Sequence, residues 1–297
     1  MFGSTVLAAS RRPLVRRLVT GTPAARRVVD RFVAGDSLDD ALAATAALDA
    51  EGLLVTLDHL GEHTTDATRA TAITDAYVAL LTALAERGLG GSAEVSVKLT
   101  ALGAALPGEL ALDNAAAICA AAERAGTTVT VDMEDHTLVE HTLGTVAKLR
   151  TEYPWVGAVV QAALRRTESD CADLGGRVRL VKGAYAEPAS VAFQTRSEVD
   201  ASYERCLRLL FAGDAYPMVG SHDPRMIALA GELGTAGGFE YQMLYGVRAD
   251  EQRRLAAAGH RMRVYVPYGA DWYGYFARRL AERPANLGFL LRALIGS

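Results

Sequence analysis

Along most of the chain, short apolar runs alternate with longer stretches in which alanine and leucine recur at helical spacing. The short runs are Leu53–Asp58, Glu94–Leu99, Thr127–Asp132, Val156–Gln161, Arg177–Val181, Tyr216–Gly220, Gly238–Gln242 and Met262–Val266. Their length and β-branched content predict strands. The stretches between them predict helices. One is Asp66–Arg87, with Thr65 as the expected N-cap and Gly88 at the stop position. Upstream, residues 14–50 predict two or three short helices; Ser37 and Asp40 have capping-box spacing, and Gly52 ends the last of them. Eight strands recurring roughly every 30 residues have the rhythm of βα units, and eight such units close a (β/α)8 barrel. No G-x-G-x-x-G follows the first strand, as a doubly wound dinucleotide fold would require. The expectation is an α/β fold: a barrel over residues 51–297 preceded by an N-terminal helical arm over residues 1–50.

Alternation within the strands sorts side chains by face. In Val95–Thr100 the apolar residues share one side, while Ser96, Lys98 and Thr100 share the other. Thr128, Thr130 and Asp132 oppose Val129 and Val131; Arg177 and Arg179 alternate with Val178 and Leu180; Tyr265 opposes Val264 and Val266. In a barrel the outer strand face packs on apolar helices, so the polar faces are expected to converge inside. Lys98, Asp132, Gln161, Arg179 and Tyr265 all fall at or near strand C-termini, the end at which barrel active sites form. Asp132 can neutralise one cation, which leaves an excess of positive charge that an anionic ligand would relieve.

Near the C-terminus, residues 271–286 predict a further helix, with Tyr275, Arg278, Arg279 and Glu282 on one face. Two guanidiniums beside a phenol suit a small carboxylate. A solvated basic patch on an amphipathic helix is the alternative reading of the same pattern.

Composition narrows the picture. The 297 residues, half of them hydrophobic, contain no Ser/Gly/Pro-rich linker, which favours one large domain. A net charge of -4 argues against nucleic acid as a partner. The charge is uneven: residues 1–29 hold six arginines and no acid, which leaves -10 on the rest of a chain whose total is -4. Such a start fits a targeting segment, a membrane-surface arm or an exposed helix. No stretch approaches the 18 or so uninterrupted apolar residues of a transmembrane helix. Cys119, Cys171 and Cys206 lack CxxC or metal-ligand spacing, and no histidine pair has HExxH spacing, so no metal site is expected. Buried structural thiols fit a reducing compartment. The expected location is therefore the cytoplasm, with the basic arm a candidate for peripheral contact with the inner face of the membrane.

Several segments together resemble proline dehydrogenase: Ser96-Val97-Lys98-Leu99, Val131-Asp132-Met133-Glu134, Gln161-Ala162, Arg179-Leu180-Val181-Lys182-Gly183-Ala184-Tyr185, Ser221-His222-Asp223, Phe239 to Gly246, and Arg263 to Pro267. The resemblance continues through Tyr275, Arg278-Arg279-Leu280, Glu282 and Asn286, in order, over about residues 50–292. It looks like the single-function form.

The resemblance implies a distorted (β/α)8 TIM barrel that binds FAD. It implies oxidation of L-proline to Δ1-pyrroline-5-carboxylate by hydride transfer to flavin N5, with electrons passed on to a membrane quinone. A separate pyrroline-5-carboxylate dehydrogenase would then be a functional partner. Carried onto this chain, Arg278, Arg279 and Lys98 would grip the proline carboxylate, and Asp132 would hold the arginine pair. Tyr265, Tyr275, Leu244 and Ala184 would lie around the ring. Asp132, Met133, Gln161, Arg179, Val181, Lys182, Gly183, Ala184, Tyr185, Ser221, His222, Gln242 and Glu282 would line the cofactor. The bulky Tyr275 would favour proline over hydroxyproline.

Overall fold

The computed structural model describes residues 26, 28–61 and 63–282, except for the side chains of residues 280–282. The Arg-rich part of the arm, the Glu282 side chain and Asn286 lie outside that description. Eight strands, β1 Leu54–His59, β2 Ala93–Val97, β3 Val129–Val131, β4 Gly157–Gln161, β5 Gly176–Val181, β6 Ala215–Gly220, β7 Glu240–Leu244 and β8 Met262–Tyr268, form a closed barrel in sequence order. All neighbours are parallel, and β1 closes on β8 from Leu54↔Arg263 to His59↔Tyr268.

Each of the eight expected strands is present, with shifted ends. β7 starts later than its sequence pattern suggests, because the Gly238 N–H turns back onto the Thr235 carbonyl. It then runs on to Leu244. β8 extends through Pro267 to Tyr268; the Pro267 carbonyl accepts the Ala34 N–H, so the strand end is tied to the N-terminal segment.

Nine α-helices are described: α1 Leu38–Ala50, α2 Ala67–Glu86, α3 Leu110–Arg124, α4 Val139–Arg150, α5 Thr167–Asp173, α6 Arg196–Ala212, α7 Pro224–Leu233, α8 Ala249–Ala257 and α9 Trp272–Glu282. α1 opens with the Ser37–Asp40 capping box that its spacing predicts. α2 differs from expectation by one residue: Asp66, not Thr65, is the N-cap, its side chain accepting the Thr68 N–H. An aspartate accepts that bond with a full charge at the positive end of the helix, so it outcompetes the neighbouring hydroxyl.

The strand faces divide as the alternation predicts. Val95, Val97, Val129, Val131, Val178, Leu180, Val264 and Val266 are buried in one apolar layer with the inner faces of the helices. Leu80, Leu81 and Leu84 of α2 and Ile118 of α3 belong to the same layer. Cys119, Cys171 and Cys206 are free and buried, and burial pushes the Cys119 thiol up to about 12.

A second apolar cluster lies apart from this layer. There Val29, Phe32 and Val33 pack with Leu60 and with Trp272, Tyr275 and Phe276 of α9. The described end of the N-terminal segment is thus the seat of the helix that carries the arginine pair. Gly246 makes the packing possible. Its φ is +70°, and a Cβ there would stand 1.7 Å from the Arg31 carbonyl oxygen.

Candidate active site

The inward faces of the strands carry charge at two levels. Near the strand N-termini, Glu94 takes Arg177 at 2.5 Å and lies 3.7 Å from Arg263, which in turn pairs with Glu240 at 2.7 Å. Glu94 and Glu240 are almost wholly buried. Burial by itself would raise the Glu94 carboxyl, but Arg263, Arg177 and Arg179 outweigh it and hold the group at about 2.

Above this level Arg179 connects the two. Its Nε donates to Gln242 Oε1 at 2.5 Å, and its Nη1 donates to Asp132 Oδ1 at 2.7 Å and Ser96 Oγ at 3.0 Å. The Gln242 amide is oriented without ambiguity: its Nε2 donates to Glu240 at 2.6 Å, and a carboxylate can only accept.

Asp132 stands just beyond β3 and gathers four donors. Besides Arg179 it receives Ser96 Oγ at 2.7 Å, Tyr265 Oη at 2.6 Å and Lys98 Nζ at 3.3 Å. Burial would raise its carboxyl, yet Lys98 and Arg179 leave it below the ordinary value. The Tyr265 phenol moves the other way, well above its ordinary value, because it is buried beside Asp132. Tyr265 therefore stays a neutral donor.

These groups form the floor of a cavity of about 540 Å³ at the C-terminal mouth of the barrel. Of the residues singled out from sequence, Lys98, Asp132, Met133, Arg179, Val181, Lys182, Gly183, Ala184, Tyr185, Ser221, His222, Gln242, Leu244, Tyr265, Tyr275, Arg278 and Arg279 all line it. Gln161 stands behind the wall: its amide donates to the Glu134 carbonyl at 2.7 Å, under the turn at Gly183. Glu282 closes α9, and its side chain is outside the described residues.

α9 brings Tyr275 and Arg279 to the cavity on one face, with the Arg279 guanidinium 5.1 Å from the Tyr275 ring centroid. Trp272 and Phe276 face the N-terminal cluster, to which Tyr275 also belongs. His222 is fixed by its neighbours: the Leu244 N–H donates to its Nε2 at 2.9 Å, and Arg248 donates to its carbonyl at 2.7 Å. Lys182 bridges Asp200 of α6 and Asp223, the N-cap of α7, at 2.5 and 2.8 Å.

Two charged lining residues did not stand out in the sequence. Asp58, at the end of β1, holds Lys98 Nζ at 2.8 Å from each carboxylate oxygen. Its signal was the same strand-end position that marks Lys98 and Asp132. Arg196, which opens α6, gave no local signal. In total, six cationic side chains (Lys98, Arg179, Lys182, Arg196, Arg278, Arg279) and three acidic ones (Asp58, Asp132, Asp223) line the cavity. That imbalance suits an anionic ligand.

The wall also suits a large planar group. Gly183 has φ +108°, and a Cβ there would press on Ala163 at 3.1 Å and on Gln161 Oε1 at 3.2 Å, so backbone rather than side chain faces the space. Among the described residues there is no cluster able to hold a metal ion, and no helix is long and apolar enough to cross a membrane.

Comparison with known proteins gives this geometry a context. The family model described as proline dehydrogenase matches residues 41–292. The chain is 40% identical to proline dehydrogenase 1 of Bacillus subtilis over 89% of its own length and 90% of that protein. It is 39% identical to the proline dehydrogenase of Deinococcus radiodurans, over 99% of this chain and 98% of that one. The bifunctional protein PutA of Escherichia coli is 26% identical, but the chain spans only 25% of it. Among solved structures, proline utilization A of Bdellovibrio bacteriovorus, inactivated by N-propargylglycine, superposes with a TM-score of 0.80 at 27% identity. That match covers 90% of this chain and 34% of the other. With the family model spanning the barrel and two separate enzymes matched nearly end to end, the chain belongs to the proline dehydrogenase family.

Proposed function

We propose that this protein oxidises L-proline to Δ1-pyrroline-5-carboxylate, the first step of proline catabolism, using FAD and passing electrons to a membrane quinone. The observation that carries this reading is the convergence of Lys98, Arg278 and Arg279 with Tyr265 and Tyr275 on one cavity. That set offers charge for a carboxylate and flat, buried surface for a five-membered ring. The names of the matched relatives support the substrate.

Arg278 and Arg279 bind the carboxylate, with Lys98 as the third cation. Each charge-assisted bond contributes about 1.5–3 kcal/mol. Asp132 keeps Lys98 and Arg179 in place, where the resemblance assigns it the Arg278–Arg279 pair. Tyr275, Tyr265 and Leu244 restrict how the ring sits, and Ala184 leaves room for it. The surplus of positive charge favours the neutral form of the substrate amine, whose lone pair assists oxidation at the adjacent carbon. Val181 to Tyr185, Ser221, His222 and Gln242 form the wall along which FAD would lie. Asp132, Met133 and Arg179 complete that wall, and the resemblance adds Gln161 and Glu282 to the cofactor set. FAD supplies the two-electron acceptor. α9, which carries the arginine pair, is seated on Phe32 and Leu60.

The test is an anaerobic titration of the flavin-loaded protein with L-proline. The visible flavin band is expected to bleach stoichiometrically; an unchanged spectrum refutes the reading. Turnover with trans-4-hydroxy-L-proline is expected to be much slower, and equal or faster turnover would reassign the substrate. Contact of the Arg-rich start with the inner membrane face predicts co-sedimentation with anionic liposomes that is lost on deleting residues 1–25.

A further inference from the structure

Lys98 is heavily engaged at the mouth. Its ammonium lies 2.8 Å from both oxygens of Asp58, 3.3 Å from Asp132 and 3.4 Å from the Tyr265 hydroxyl. An ammonium has three N–H donors, so these acceptors already satisfy it. A ligand carboxylate reaches Lys98 only by exchange with one of them. Asp132 is fixed by Arg179, Ser96 and Tyr265 as well as by Lys98. For Asp58, Lys98 is the one hydrogen-bonding partner among the described residues. Asp58 is the acceptor that can be exchanged.

Its carboxylate is 3% exposed, so release without a new partner leaves a buried, unpaired charge. A plain carboxylic acid would impose that cost. An α-amino acid would not, because its nitrogen lies one carbon from the carboxylate and supplies the missing cation. We propose that Asp58 is a specificity-determining residue that receives the substrate amine when the substrate carboxylate takes its place on Lys98. The inference rests on the amino-acid oxidation proposed above. It also provides an acceptor for the amine proton: the N–H bond breaks as an O–H bond forms on Asp58, no electrons move, and the amine is left neutral. The proton returns to water when the product leaves.

The experiment compares the wild-type holoenzyme with Asp58→Asn and Asp58→Glu. It uses L-proline and cyclopentanecarboxylate, which keeps the ring and carboxylate but has no nitrogen. Asp58→Asn is expected to lower kcat/KM for proline by about 10-fold or more, the loss of one charge-assisted bond. Inhibition by cyclopentanecarboxylate is expected to stay the same or tighten. Asp58→Glu, which keeps the charge, is expected to retain the wild-type preference. Equal weakening of both ligands in Asp58→Asn would mean that Asp58 only props Lys98, and would overturn the proposal. No change in either ligand would overturn it too. Flavin content and melting temperature are read alongside. Should Asp58→Asn fail to fold, loss of the preference in a folded Asp58→Glu is the overturning result. A wild-type enzyme that proline does not reduce would count against the function itself, not against Asp58.

Discussion

The two ends of the barrel interior both bury charge, and they do opposite things with it. At the bottom, Glu94 and Glu240 face Arg177 and Arg263, sign against sign, in a closed network. At the mouth, six cations meet three carboxylates around an open cavity. A balanced network can only hold the structure together. An unbalanced one favours an anionic ligand. Arg179 joins the two, reaching Gln242 and, through it, Glu240 below, and Asp132 above.

The sharpest way to break the comparison is from below. Glu94→Ala removes the buried carboxylate shared by Arg177, Arg179 and Arg263, leaves Arg177 without an ion-pair partner among the described residues, and is expected to cost about 3–5 kcal/mol, read from urea unfolding. If the loss were small, the lower network would not be structural. Arg278→Ala or Arg279→Ala should do the reverse. Each is expected to raise the KM for proline roughly 10- to 100-fold, the equivalent of one lost charge-assisted bond, while flavin content and melting temperature hold. An unchanged KM in both variants would remove the carboxylate clamp.

Acid should reach both levels through their carboxylates. Glu94 is held at about 2 against an ordinary 4.5, and Asp132 is also lowered. Groups whose folded value is depressed contribute stability that is complete above the ordinary value and disappears as pH falls toward the folded one. The melting temperature is therefore expected to fall between about pH 4.5 and 2. In Glu94→Gln that acid slope is expected to be shallower. The smallest effect serves as a control. Ser37→Ala removes the cap of α1, remote from both charged levels, and is expected to cost about 1 kcal/mol with KM unchanged.

Strand number, barrel class and the charged floor of the cavity were legible in the chain because they depend on strand rhythm and period-two alternation; the wall from Val181 to Tyr185, with Ser221, His222, Gln242 and Leu244, was legible only through the resemblance to proline dehydrogenase. A side chain at a strand C-terminus has its destination fixed once the sheet closes. Lys98, Asp132 and Arg179 were visible for that reason. Asp58 has the same position but went unremarked, because its meaning lies in its partner Lys98 on the next strand.

What local sequence decided, then, is which residues face inward and where helices begin, since both follow from backbone periodicity and nearest-neighbour hydrogen bonds. Tertiary structure alone decided who pairs with whom. Glu94 and Arg263 are remote in the chain, and so are Phe32 and Phe276. Only closure of β1 on β8 brings such pairs together, and Coulomb and packing energies act on distance in space rather than on separation along the chain.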